Sequence, residues 1–320
     1  MRILICDDSS VARKSLARSI TAPMNSDIVF AEDGYQALDI LRKDSIDLMF
    51  LDLTMPKMDG FEVLSIMQGE SITTHAVVIS GDIQHKAQQR CYALGAYAFI
   101  EKPLKQAVAE PLFRDLGLEF RVPQKSKQRF SREQSVERFR ETANIALGSG
   151  AAIIAQQLKE FIQLPVPTVG ELSFGEVTMM VEDNLSRKGN YTVAQRFVGG
   201  GMHGEALVCI TGTDINQVGL RFGFDQGECT RDELVVNLSN VLVSSFLVSM
   251  SEQLGMEFSL REPLRIEHFT PQNSMMSGSE HIFTTEYTYD AETLDLNCSV
   301  LFMFDRESVD IIHRQMEILH

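Results

Sequence analysis

The first third of the chain alternates short apolar runs with amphipathic stretches. Arg2–Cys6 is apolar up to Asp7-Asp8, and Asp47–Leu51 is apolar up to Asp52. Runs of this kind predict strands buried on both faces of a parallel sheet. Between them Val11, Leu16 and Ile20 fall at helical spacing, Ile28–Phe30 predicts another strand, and Tyr35–Leu41 a second helix. Ala76–Ile79 ends in Ser80, and Tyr97–Ile100 runs into Glu101-Lys102-Pro103. Strand alternating with helix makes the expected class α/β, with a doubly wound, five-stranded parallel sheet. Leu104–Leu118 supplies a last helix, which Pro111 kinks or breaks unless it lies in the first turn.

In such sheets chemistry collects at the carboxyl ends of the strands, where Asp7, Asp8, Asp52, Ser80 and Lys102 are all delivered. Three carboxylates repel one another unless a cation stands among them, and an all-oxygen donor set suits Mg²⁺. The lysine adds a second positive charge. A metal, a lysine and a hydroxyl around one aspartate can stabilise three phosphoryl oxygens while the carboxylate attacks. Strand-end acids that merely solvate loops are the plainer alternative, and five polar residues at matching strand ends speak against it.

Residues 1 to about 118 resemble the CheY-like receiver domains of response regulators. The resemblance implies phosphorylation on Asp52, with Mg²⁺ held by Asp7, Asp8, Asp52 and the backbone carbonyl of Thr54. It gives Ser80 and Lys102 to the phosphoryl oxygens, makes Lys102-Pro103 a cis bond, and matches Met55–Gly60 to the loop after the phosphorylated strand. Phe99 takes the place of the aromatic switch, with core packing an equal alternative. A sensor histidine kinase is the implied phosphodonor.

Glu119–Gln134 is polar, carries Arg121, Lys125, Lys127 and Arg129 around Pro123, and reads as a linker. Beyond it, Ser135–Gln163 has Val136, Phe139, Ala143, Leu147, Ile154 and Leu158 at helical spacing, and its Gly148-Ser149-Gly150 permits close backbone packing. Arg231–Leu254 has the same character. Sliding one segment onto the other brings Asn144 onto Asn240 and Pro167 onto Pro263, and strand-like runs, Glu205–Ile210 and Leu296–Phe304, follow in each half. Two similar halves, about 135–225 and 226–320, related by a pseudo-two-fold axis, are the expectation. In the first copy Glu141 and Asn144 share a helix face, with Glu137 one turn before.

Residues 135–320 resemble the CheC/CheX family of phosphatases that dephosphorylate CheY. That family's motif runs Asp or Ser, three residues, Glu, two residues, Asn, twenty-two residues, Pro. Glu141, Asn144 and Pro167 fit it, with Glu137 at the first position; in the second copy Asn240 and Pro263 fit, but Asn237 replaces the Glu and Glu233 the first position. The resemblance implies an α+β domain with two long helices on an antiparallel sheet. It makes Glu141 and Asn144 catalytic, with Asn240 a secondary candidate: the Glu pairs with the lysine of a phosphorylated CheY-like receiver, and the Asn orients a water. Two functions stand side by side: a receiver-controlled aspartyl-phosphate phosphatase, and a non-catalytic, phosphorylation-gated adaptor or dimerisation module, with a homodimer among the expected assemblies.

Composition narrows the classes further. At 320 residues, 44% hydrophobic and 23% charged, the chain is expected to form two soluble globular domains. A net charge of −15 argues against nucleic-acid binding. Ile145–Ala155, the longest weakly polar run, falls short of a bilayer span, and the N-terminus is too short for a signal-peptide core. No membrane insertion and a cytoplasmic location are therefore expected. Cys6, Cys91, Cys209, Cys229 and Cys298 are isolated and suggest neither zinc nor disulfides, and no GGDEF, EAL or Walker A sequence supports a nucleotide-signalling output.

Overall fold

The computed structural model describes residues 1–23, 26–122, 130–224, 229–267 and 281–318, and the chain divides into two units, Met1–Lys127 and Gln128–His320. Their elements are taken in turn.

The first unit runs β1 (Arg2–Cys6), α1 (Ser10–Ser19), β2 (Ile20–Thr21), β3 (Asp27–Ala31), α2 (Gly34–Lys43), β4 (Leu48–Leu51), α3 (Gly60–Gly69), β5 (His75–Ser80), α4 (His85–Ala93), β6 (Ala98–Glu101), α5 (Gln106–Asp115) and β7 (Glu119–Phe120). Its parallel sheet has the order β3-β1-β4-β5-β6. Ile3, Ile5, Leu48, Phe50, Val77 and Ile79 fill the core on one side of it, closed by Phe113 of α5. The order reverses between β1 and β4, the switch point at whose carboxyl ends open α/β sheets place their sites.

Two expectations change here. Ile20 does not extend α1; with Thr21 it pairs against Glu119 and Phe120, so the start of the segment read as a linker is a strand. Burial is the reason, since Ile20 is enclosed and Phe120 packs its ring on Phe113 at 5.5 Å. Pro111 sits beyond the first turn of α5 without ending it, between the buried anchors Ala109 and Phe113.

The second unit runs α6 (Arg132–Leu158), β8 (Ile162–Gln163), β9 (Thr168–Ser173), α7 (Phe174–Ser186), β10 (Tyr191–Gly199), β11 (Met202–Thr211), α8 (Ile215–Arg221), α9 (Arg231–Leu254), β12 (Phe258–Leu260), β13 (Leu264–Ile266), β14 (His281–Ala291), β15 (Asn297–Phe304) and α10 (Arg306–Ile318). Every strand pairing among the described residues is antiparallel, along the path β12-β10-β11-β15-β14-β8, with β13 also on β10 and β9 on β14. Alternate residues separate the faces: Val193, Phe197, Val208, Val300 and Phe302 pack under α6 and α9, while Ala194, Leu207, Leu301 and Met303 pack with Val177 and Val181 of α7.

The registers relate the two halves by a pseudo-two-fold axis. Val198↔Ser259 corresponds to Asp290↔Gln163, Val193↔Arg265 to Thr285↔Val169, and Tyr191↔Ile210 to Phe283↔Phe304. Leu207↔Leu301 maps onto itself, which puts the axis through that pair. Each half lends its short strands to the long hairpin of the other. The long helices obey the same relation: α6 ends at Lys159 and α9 at Gly255, both left-handed caps with φ 57 and 65, and Asn144 falls on Asn240.

The left-handed Lys159 ends α6 five residues before the expected Gln163, and the helix starts at Arg132, capped by Ser131, so the expected linker 119–134 loses both ends; its residues 123–129 lie outside the described residues. The two helices cross where Gly150 meets the Ser245 backbone, and a Cβ there would stand 3.1 Å from the Ser245 carbonyl. The run expected to be the longest weakly polar one, Ile145–Ala155, is exceeded in α9, which is long and apolar enough to span a bilayer, yet 61% of its apolar window is buried within the fold, as in a core helix.

Candidate functional site

At the carboxyl ends of β1 and β4, carboxylate oxygens of Asp7, Asp8 and Asp52 lie within 4.8 Å of one another. Asp7 and Asp52 are buried and Asp8 is half-buried. From β6, Lys102 reaches in and donates to Asp7 Oδ2 at 2.8 Å and to Asp52 Oδ2 at 2.9 Å. At about 4 Å two like charges cost on the order of 4 kcal/mol at an effective dielectric near 20, so one lysine offsets only part of the repulsion among three carboxylates. Three clustered carboxylates with hard oxygen donors fit a divalent cation such as Mg²⁺.

Local bonds fix these groups. The Ser9 N–H donates to Asp7 Oδ1 at 2.8 Å, and the Leu53 N–H donates to Asp52 Oδ1 at 2.7 Å. Gly60 opens α3 against β4, where a Cβ would strike the Asp52 carbonyl oxygen. Ser80 is fully buried at the end of β5 and accepts from the Asp82 N–H at 3.1 Å; Thr54 is buried and Phe99 half-buried. Lys102-Pro103 is cis.

Three supporting residues escaped the sequence reading. Arg13 of α1 donates to the carbonyls of Asp7 at 2.6 Å and Asp8 at 3.2 Å, tying down the acidic strand end. Asp33, the α2 cap, accepts from Lys57 at 2.7 Å; that bond holds its carboxyl below the ordinary range and anchors the loop after Asp52, where Lys57 itself is left-handed with φ 69. Asp82 is buried two residues after Ser80, and burial pushes its carboxyl up to about 6. The α1 amphipathic spacing could have flagged Arg13 as an inward-pointing polar exception. Nothing periodic marks the other two.

In the second unit Glu141 is half-buried on α6, and Asn144, one turn on, is 6% exposed; no side-chain hydrogen bond of Asn144 is found among the described residues. Asn240 is exposed on α9, and its Oδ1 accepts from Gln195 of β10 at 2.7 Å. Glu137 and Asn237 are half-buried on the corresponding faces.

A parallel sheet with a strand-end acid cluster, a buried lysine and a buried serine is the arrangement expected of a receiver domain. Residues 3–110 match the response regulator receiver domain family, and the N-terminal unit is a CheY-like receiver domain of the two-component kind. It is 32% identical over 113 residues to protein-glutamate methylesterase/protein-glutamine glutaminase 3 of Geobacter sulfurreducens, covering 35% of this chain and 30% of that protein. It is 31% identical over 114 residues to sensor histidine kinase RcsC of Salmonella typhimurium, covering 34% of this chain and 12% of the kinase. The matched stretch thus spans less than a third of either relative. A solved structure, FliY of Thermotoga maritima, overlaps 58% of this chain and 98% of its own at 17% identity and a TM-score of 0.43.

Proposed function

We propose that Asp52 takes a phosphoryl group in a Mg²⁺-dependent reaction and that this state controls the second unit, an aspartyl-phosphate phosphatase acting on a CheY-like receiver. The phosphodonor in this reading is a sensor histidine kinase, a name borne by relatives of the receiver unit, and the setting is cytoplasmic. Bound by Asp7, Asp8 and Asp52 with the Thr54 carbonyl, the cation would offset phosphoryl charge. Ser80 and Lys102 take the remaining oxygens.

For the second unit the carrying observation is Glu141 and Asn144, neighbours on one face of α6 with Pro167 downstream at the spacing of the CheC/CheX motif. Glu141 would pair with the lysine of the docked receiver. Asn144 would hold a water in line with the aspartyl phosphate. The water oxygen bonds to phosphorus while the phosphorus–oxygen bond to the aspartate breaks; the carboxylate leaves with the electron pair, and a water proton passes to phosphate or solvent. Positioning of this kind accelerates hydrolysis without a covalent intermediate on the phosphatase.

A second reading, a phosphorylation-gated adaptor, is favoured by the enclosure of Asn144, which has to be uncovered before it can reach a partner. The experiment that separates them follows phosphate loss from a phosphorylated receiver with and without the full chain. Phosphatase action shortens its lifetime about tenfold or more. Binding with an unchanged lifetime identifies the adaptor.

A further inference from the structure

The pseudo-two-fold relation pairs every residue of the α6 face with one of α9, so the two copies can be compared atom group by atom group. Glu141 corresponds to Asn237 and Asn144 to Asn240. Beneath them, the β10 position of Gln195 corresponds to Tyr287 on β14. These sheet residues differ in kind. The Tyr287 ring is taken up by Phe246 at 5.0 Å and Phe302 at 5.9 Å. Gln195 is 1% exposed and donates from Nε2 both to Asn240 Oδ1 at 2.7 Å and to the Arg261 carbonyl at 3.0 Å.

The Arg261 carbonyl fixes the orientation of both amides. A backbone carbonyl has no proton to give, so the Gln195 group facing it has to be the NH₂. The other N–H of that group then points at Asn240, and the Asn240 atom receiving it has to be oxygen. Gln195 Oε1 is buried without a hydrogen bond, so the donor half of this side chain carries all its contacts.

We infer that Gln195 is a positioning residue that silences the second helix face by turning the Asn240 amide oxygen inward, an inference that rests on the phosphatase reading above. An attacking water must aim a lone pair at phosphorus, so its hydrogens need acceptors. An amide orienting that water supplies its oxygen. In the first copy the Asn144 oxygen has no such donor bonded to it among the described residues. In the second, one lone pair of the oxygen is taken by Gln195 from the sheet side, and the other end of the amide is its NH₂. The second face is thus switched off twice, by Asn237 in place of a carboxylate and by Gln195 from beneath.

The test restores the second face in a full-length chain whose first face carries Asn144→Ala. Asn237→Glu is added alone and together with Gln195→Met, a near-isosteric change without the amide, and turnover of a phosphorylated receiver is compared with wild type. The inference expects Asn237→Glu alone to stay at the Asn144→Ala level and the combination to rise about tenfold above it. Full recovery with Asn237→Glu alone, or none with the combination, overturns the lock. An inactive wild type sinks the phosphatase reading instead. A second measurement is independent of turnover and of variant folding: in the wild-type chain the Gln195 side-chain NH₂, bonded at both hydrogens, should exchange with solvent at least about tenfold more slowly than an exposed glutamine. Exchange as fast as an exposed side chain overturns the inference outright.

Discussion

Lys102 Nζ stands 2.9 Å from Asp52 Oδ2, with the two side chains 6% and 1% exposed. The same ammonium reaches Asp7, so one buried cation bridges the two buried members of the acid cluster. Breaking a buried pair by removing one partner leaves an uncompensated charge, whereas adding a phosphoryl group gives the lysine a richer acceptor in the same place. The contact is therefore a restraint on the observed state and, in the proposed function, a ready-made partner for a phosphoryl group on Asp52.

From this follows the first prediction. Incubation with acetyl phosphate and Mg²⁺ should add one phosphate to the intact chain, read by mass, and Asp52→Asn should abolish it. Chelation of the metal should suppress labelling about 10²-fold, the scale on which transition-state charge stabilisation acts. A mutant labelled to the same extent as wild type would move the acceptor elsewhere.

Asp82 makes stability depend on pH. Burial raises its folded value to about 6 from the ordinary 3.8. Between those values the folded chain holds a proton that the unfolded chain has released, so stability falls as pH rises through the window, and the full deficit is present above it. Asp82→Asn should remove the deficit: its urea midpoint should rise at pH 8 by the equivalent of roughly 3 kcal/mol, about twice the gain at pH 5. Equal gains at both values would show that the carboxyl titrates normally.

The helix crossing at Gly150 gives a third test. Valine there drives two methyl groups toward the Ser245 carbonyl and the Phe246 N–H, where even a Cβ meets atoms at 3.1 and 3.2 Å. Gly150→Val should cost about 1–3 kcal/mol by overpacking, read as a lowered denaturant midpoint. Gly150→Ala should cost less, because better helix propensity returns up to about 1 kcal/mol. An unchanged midpoint for valine would mean that the helices can part freely.

What the sequence disclosed depends on how each residue earns its place. Asp7 and Asp52 were legible as strand-end residues because each directly follows a buried apolar strand, Ser80 because it closes one, and Lys102 because it stands two residues past the apolar Ile100; parallel strands deliver such ends to one rim. Asn144 and Asn240 could be aligned because two helices of like pattern carry them. The exchange of short strands, β12 and β13 onto β10 and β8 and β9 onto β14, was not legible, since it depends on pairings far apart in the chain. Nor was α7, which follows a capping box at Ser173 and Glu176 but buries only Val177, Val181 and Asn184. Lys159 hid the end of α6 because a left-handed cap is usually glycine, as Gly255 is on α9.

The last prediction ranks the two copies. Asn144 and Asn240 occupy equivalent positions, but Asn240 is exposed with its oxygen bonded to Gln195, whereas Asn144 is enclosed and carries no side-chain hydrogen bond among the described residues. Exposure alone would favour Asn240. Chemistry favours Asn144, because its neighbour Glu141 can make a charge-assisted contact with a receiver lysine, and the neutral Asn237 cannot. Losing that contact should weaken docking, while losing the Asn144 amide should leave docking intact and the water unoriented. Asn144→Ala should therefore lower turnover of a phosphorylated receiver by roughly 10² or more with apparent affinity little changed. Glu141→Ala should weaken affinity as well as rate, and Asn240→Ala should leave both near wild type. If Asn240→Ala is instead the damaging change and Asn144→Ala is silent, exposure decides over the carboxylate, and the working face is that of α9.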